Sequence, residues 1–108
     1  MIYEMMTGLP PFYTTDKKKL YEKIINEKIT FPKSFNPILI DFLEKLLEKD
    51  PAKRLGSGLL GSEEIRKHKW FGNVDWSAML KKELKVPFKP ILKSEMDTSY
   101  FDSVIFIF

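Results

Sequence analysis

The clearest pattern of apolar and polar positions lies between Asn36 and Asp50. Ile38, Leu39, Phe42, Leu43, Leu46 and Leu47 recur at i, i+1, i+4, i+5, i+8 and i+9. That spacing puts all six on one wide face and predicts a buried-face helix over 37–49. Asn36 is a capping residue type and Pro37 suits the first helical position. Asp50-Pro51 ends the run. A narrower stripe, Leu20, Ile24 and Ile25, predicts a helix over 15–27, with Glu22, Lys23, Glu27 and Lys28 facing water. Thr15 can cap it, and Asp16 suits its first turn. Residues 2–6 read as the last turns of a helix that Gly8 and Pro10-Pro11 close. A helix so short cannot hold itself together in water. It leans on the rest of the chain, or it is the tail of a longer helix.

Past Pro51 the elements shorten. "ITFP" at 29–32 is extended, because Pro32 pushes Phe31 away from helix. A glycine loop over 56–61 leads to a helix over 62–69, with Ser62 as its cap and Glu63 and Glu64 in its first turn. Trp70 and Phe71 follow it. Asp75 caps a further short helix bearing Trp76, Met79 and Leu80 on one face, with Val74 and Met79 at staple positions. From Lys85 onward Pro87 and Pro90 point to an extended tail that crosses a surface, with Phe88 buried between them. The fold class is all-α, with an extended end and no internal repeat.

Composition narrows the function. The chain's 108 residues suffice for one small domain. An apolar fraction of 44%, with nine Phe and two Trp, favours a packed core over disorder. There is no cysteine, which excludes disulfides, thiolate metal sites and cysteine nucleophiles, and fits a cytosolic setting. No apolar run approaches the ~20 residues of a membrane span. The first residues carry Glu4 and no basic region, unlike a signal peptide. Acidic and basic residues are interspersed, and the runs Lys17–Lys19 and Lys67–Lys69 are too short for a nucleic-acid footprint. No nucleic-acid partner is expected.

Each candidate motif has an ordinary reading beside its chemical one. "GSGLLG", Gly56 to Gly61, fits G-x-G-x-x-G, but a helix ending in Asp-Pro precedes it where a strand is needed. It reads as a flexible interhelical loop. His68 is the sole histidine and has no serine-and-acid constellation around it, so it reads as a packed or half-exposed helix-end residue. Glu63-Glu64 complements a helix dipole. Arg54 follows a helix terminus and precedes Leu55. Arginine suits a bidentate grip on a carboxylate in a partly buried place. It also suits a solvated loop, and both readings stand.

In order along the chain stand "MIYEMMTGLPPF", "FP", "LLEKDPAKRLG", "IRKHKWF", "DW", "VPFKP" and "DTSYFD". Together they resemble the last third of the catalytic domain of an AGC-type serine/threonine protein kinase and the start of its C-terminal tail. The group of protein kinase B, the serum-and-glucocorticoid-induced kinases and the ribosomal S-six kinases is the most similar. The resemblance spans residues 1 to about 102 and divides the chain into 1–71, part of the large lobe, and 72–108, a truncated tail.

The resemblance implies roles. Residues 2–6 would end the lobe's long central helix, and 15–27, 37–49 and 62–69 would be the helices that close the lobe. Arg54 would pair, buried, with the glutamate of an Ala-Pro-Glu motif. Glu4 matches an acidic position that contacts a basic residue upstream of the target Ser/Thr. Pro10, Pro11 and Phe12 lie at the rim of the peptide-docking surface. Phe101 would pack at the edge of the adenine pocket.

A kinase also needs a glycine-rich phosphate loop, a paired lysine, a catalytic-loop aspartate and a metal-binding aspartate. None of their motifs occurs in this chain, so it offers no catalytic residue and no metal ligand, and none for ATP beyond Phe101. ATP and Mg are expected for the parent kinase and not for the fragment alone. Protein substrates with basic residues upstream of Ser/Thr and an upstream kinase are the parent's expected partners, and the cytoplasm is its expected location, with the nucleus as a second one. After Asp102 the family's acidic or Glu-Phe-Thr stretch gives way to "SVIFIF", which points to a truncated or mis-spliced end.

Overall fold

A computed structural model describes residues 1–102. Among these residues the regular elements are all helical: α1 (Ile2–Thr7), α2 (Lys17–Asn26), α3 (Pro37–Leu46), α4 (Ser62–Arg66), a 3-10 turn (Lys69–Phe71) and α5 (Trp76–Leu80). The expected all-α class holds. The chain divides into two compact units, Met1–Val74 and the residues from Asp75 onward. The expectation attached to the apolar end, 103–108, lies outside the described residues.

In the first unit α3 is the central element. Asn36 caps it by accepting the Ile38 N–H at 2.8 Å, and Pro37 opens its first turn. Leu39, Phe42 and Leu43 are its fully buried residues and form the core. Phe42 meets Phe71 edge-on at 5.3 Å between ring centroids, and this contact ties the 3-10 turn to α3. Only part of the predicted face is buried: Ile38 remains 41% exposed. The helix also stops at Leu46, three residues before the predicted end, and Leu47 is its C-cap.

α1 leans on the chain as expected. Tyr3 donates its hydroxyl to the Thr30 carbonyl at 3.0 Å and shares an aromatic cluster with Phe31 and Phe35. Gly8 ends the helix at φ +83, a conformation glycine takes without penalty, and donates to the Glu4 carbonyl.

Two caps differ from expectation. Asp16, not Thr15, caps α2: its Oδ1 accepts the Lys18 N–H at 2.9 Å and the Lys19 N–H at 3.4 Å. A carboxylate complements the helix dipole better than a hydroxyl does. Gly61, not Ser62, occupies the N-cap of α4. The single helix predicted over 62–69 is interrupted, because His68 adopts an extended backbone and caps the 3-10 turn itself.

In the second unit Asp75 caps α5 as predicted, accepting the Ala78 N–H at 2.9 Å. No helix follows Leu80 among the described residues. Phe88 was expected to bury; it is 68% exposed and touches Tyr100 edge-on at 6.2 Å. Flanking prolines keep this stretch out of any helix whose face could cover it.

Candidate functional site

A cleft of the first unit, about 640 Å³, lies where Phe12, Ile24 and Ile25 face the residues that follow α3. Leu46, Leu47, Glu48, Lys49, Asp50 and Arg54 complete its lining. Five apolar residues line it, together with two acids, Glu48 and Asp50, and two cations, Lys49 and Arg54.

Arg54 reaches the cleft because the chain turns sharply after α3. The Asp50 Oδ1 accepts the Ala52 N–H at 2.9 Å, and the Asp50 carbonyl accepts the Arg54 N–H at 3.1 Å. Leu55 then donates its N–H to the Lys45 carbonyl at 3.0 Å, returning the loop to the helix. This places the guanidinium over the helix end. Nε donates to the Glu48 carbonyl at 2.9 Å and Nη2 to the Lys49 carbonyl at 3.4 Å. Both carbonyls lie past the Leu47 C-cap, in non-helical chain, and the guanidinium supplies them with donors.

Lys49 repeats the arrangement on the other wall. Its ammonium donates to the carbonyls of Lys23 and Ile24 in the last turns of α2, and lies 4.2 Å from the centre of the Phe12 ring. Among the described residues neither Arg54 nor Lys49 has a carboxylate within 4.0 Å. The local acids are engaged elsewhere: Asp50 in its own turn and loosely with Lys53, Glu63 with Arg66 at 2.8 Å, Glu64 in the glycine loop. The cleft thus presents two cations that bond backbone carbonyls, Lys49 also lying over the Phe12 ring, beside exposed apolar side chains.

The glycine loop is anchored rather than flexible. Glu64 Oε2 accepts the Gly56 N–H at 3.0 Å, with Gly56 at φ +93. A Cβ at Gly58 would collide with the same carboxylate. The chain's own glutamate fills the place an anion would take.

His68 packs, as read from the sequence. Its side chain is 7% exposed, Nε2 lies 2.8 Å from Asp41 Oδ2, and Nδ1 accepts the Trp70 N–H at 3.1 Å. Since Nδ1 accepts, Nε2 carries the proton and donates to Asp41. Asp41 also accepts from Lys45 at 2.7 Å, and these two bonds, Lys45 first, hold its carboxyl below the ordinary aspartate range. Sequence reasoning missed this Asp41–Lys45–His68 cluster. The i, i+4 spacing of Asp41 and Lys45 was visible; the return of His68 from 27 residues away was not.

The remaining candidate residues lie as follows. Glu4 is exposed on α1. Pro11 faces α1 and α3 beside Tyr3 and Leu43, and Phe12 lines the cleft. The Pro10 carbonyl accepts the Tyr13 N–H at 3.3 Å and closes the turn. Phe101 belongs to the second unit and is 62% exposed, its N–H donating to the Thr98 carbonyl. Among the described residues no group of three His, Asp or Glu side chains could hold a metal ion. No helix among the described residues is long and apolar enough to cross a membrane.

A model of the protein kinase domain matches residues 1–71. The chain is 45% identical over 102 residues to the serine/threonine-protein kinase YPK2/YKR2 of Saccharomyces cerevisiae, covering 94% of this chain and 15% of that protein. It is 44% identical over 103 residues to the serine/threonine-protein kinase gad8 of Schizosaccharomyces pombe, covering 95% and 18%. With the human RAC-beta serine/threonine-protein kinase it shares 43% identity over 102 residues, covering 94% and 21%. The chain thus spans about a fifth or less of the length of these relatives. A matched domain, aligned along nearly all of this chain with serine/threonine kinases, shows that the chain belongs to the protein kinase family.

Proposed function

We propose that residues 1–71 are the closing part of the large lobe of an AGC-type serine/threonine kinase and that 72–108 begin its C-terminal tail. The observation that carries this reading is alignment over 94% of the chain with proteins named as serine/threonine kinases, the "DPAKRLG" loop included. The parent transfers the γ-phosphoryl of Mg-ATP to Ser or Thr of protein substrates that carry basic residues upstream, in the cytoplasm or nucleus, under control of an upstream kinase. Glu4 receives such a basic residue, Pro10, Pro11 and Phe12 form the docking rim, and Phe101 borders the adenine. Arg54 takes the glutamate of an Ala-Pro-Glu segment into the cleft, in exchange for its bonds to the carbonyls after α3.

This chain alone is inactive in phosphoryl transfer. Incubation of the purified 108-residue protein with labelled ATP and a basic Ser-containing peptide should leave the peptide unlabelled. Labelling abolished by a kinase inhibitor would overturn the reading.

The exposed apolar wall of the cleft, with Ile25 68% exposed, favours a second reading. The chain then serves as a non-catalytic interaction module that keeps the docking surface of a kinase. A synthetic peptide ending in Ala-Pro-Glu separates the roles of the cleft. Binding that Arg54→Ala abolishes supports the ion-pair assignment, and binding that survives the substitution refutes it.

A further inference from the structure

We propose that the depression between α3 and the junction of α4 with the 3-10 turn is a docking site for a phosphorylated serine or threonine side chain of a partner protein. Pro37, Ile38, Asp41 and Lys45 line it from α3, and Lys67, His68 and Lys69 line it from the junction. Its volume is about 500 Å³.

Two stretches far apart in sequence supply its charge. His68 turns its ring inward and packs on Phe42 at 4.8 Å between centroids. Lys67 and Lys69, on either side of it, are exposed. Among the described residues neither lysine has a carboxylate within 4.0 Å. The one acid of the lining, Asp41, has its Oδ2 taken by Lys45 at 2.7 Å and by His68 at 2.8 Å. Three lysines against one acid that is already paired leave the depression net positive.

The chemistry selects a single phosphate on a peptide. A phosphoserine brings nearly two negative charges and three acceptor oxygens, which ammonium groups from both sides can bond. Asp41 Oδ1 makes no hydrogen bond among the described residues. It repels a second phosphate and is free to accept a peptide N–H. Ile38, half-exposed, and Pro37 form an apolar edge where the next residue of the peptide rests. A nucleic acid, with a phosphate at every step, fits less well. The site uses neither ATP nor a catalytic motif, so its test is separate from that of the kinase reading.

Fluorescence polarisation of a short labelled peptide with phosphoserine beside leucine tests the assignment. The ring NMR signals of His68, the sole histidine, give the local readout. The 108-residue protein should bind this peptide saturably, and the His68 signals should shift with the same midpoint. The unphosphorylated peptide should bind at least about 10-fold more weakly. Lys67→Gln with Lys69→Gln should lower the affinity about 10-fold, since each exposed charge pair contributes up to about 5-fold. Ile38→Ala should lower it about 3-fold. Gln at Lys17, Lys18 and Lys19, the basic run at the start of α2, should leave it unchanged. These side chains are exposed, so the variants should keep the parent circular dichroism. Equal binding of the unphosphorylated peptide, unmoved His68 signals, or an equal loss on changing Lys17–Lys19 would overturn the proposal. So would displacement of the peptide by inorganic phosphate at the peptide's own concentration, which would identify a free-anion site. Displacement by a single-stranded oligonucleotide at that concentration would overturn it too, in favour of a nucleic-acid contact.

Discussion

The two units of this chain are held together differently. Met1–Val74 has a core: Leu39, Phe42 and Leu43 are shielded from water, and Phe71 closes over Phe42. From Asp75 onward no described residue is buried, and the order there comes from Asp75, Asp97 and Tyr100 gripping backbone N–H groups. Side-chain burial is cooperative, because each contact depends on its neighbours. Single hydrogen bonds in water contribute about 1 kcal/mol each and act nearly alone. The first unit should therefore unfold as one body, and the second should loosen residue by residue.

Phe42→Ala gives the sharpest contrast. It removes the centre of the core and should cost about 3–5 kcal/mol, enough to abolish the unfolding transition followed by circular dichroism. Phe88→Ala should move that transition by less than about 0.5 kcal/mol. Equal effects would mean that the second unit also has a core. In the next tier, Arg54→Ala leaves the carbonyls of Glu48 and Lys49 to water and should cost about 1 kcal/mol in urea denaturation. Of similar size is the cap on α2: Asp16→Ala should cost about 1 kcal/mol, and Thr15→Ala almost nothing. The reverse order would return the cap to Thr15.

The smallest effect is a pH response, and both units have one. Asp41 in the first and Asp97 in the second are held below the ordinary aspartate value, Asp41 by Lys45 and then His68, Asp97 by the N–H groups of Lys93 and Ser99. A carboxyl lowered on folding adds stability that is complete above its unfolded value, about 3.9. That stability is lost as pH falls through the lower folded value. Carboxyl-carbon NMR titration should find both midpoints below the ordinary aspartate value. Only Asp41→Asn should flatten the acid limb of global unfolding, since only Asp41 belongs to the unit with a core.

The fold was largely legible because its main signals are local. The Asn36-Pro37 cap, the apolar period along α3 and the Asp75 cap each lie within a few residues of what they control. The misread positions depend on a longer reach or on competition between neighbours. Thr15 and Asp16 both satisfy a capping rule, and only the geometry of the turn chooses. The break at His68 requires Asp41, a helix away, to receive its ring. The cleft could be read only in part. Arg54 was conspicuous as an arginine beyond a helix end, but its partners are carbonyls, which every residue carries and no residue type announces.

That choice of partner has a consequence for how the region tolerates change. An ion pair fails when either of two codons mutates. Arg54 instead bonds oxygen atoms of the main chain, which persist under any substitution at Glu48 or Lys49. A double-mutant cycle between Arg54 and either position should show almost no coupling, although Arg54 itself matters. The vulnerability of these two bonds is therefore concentrated in one codon, and a side-chain change at Glu48 or Lys49 leaves their acceptors in place.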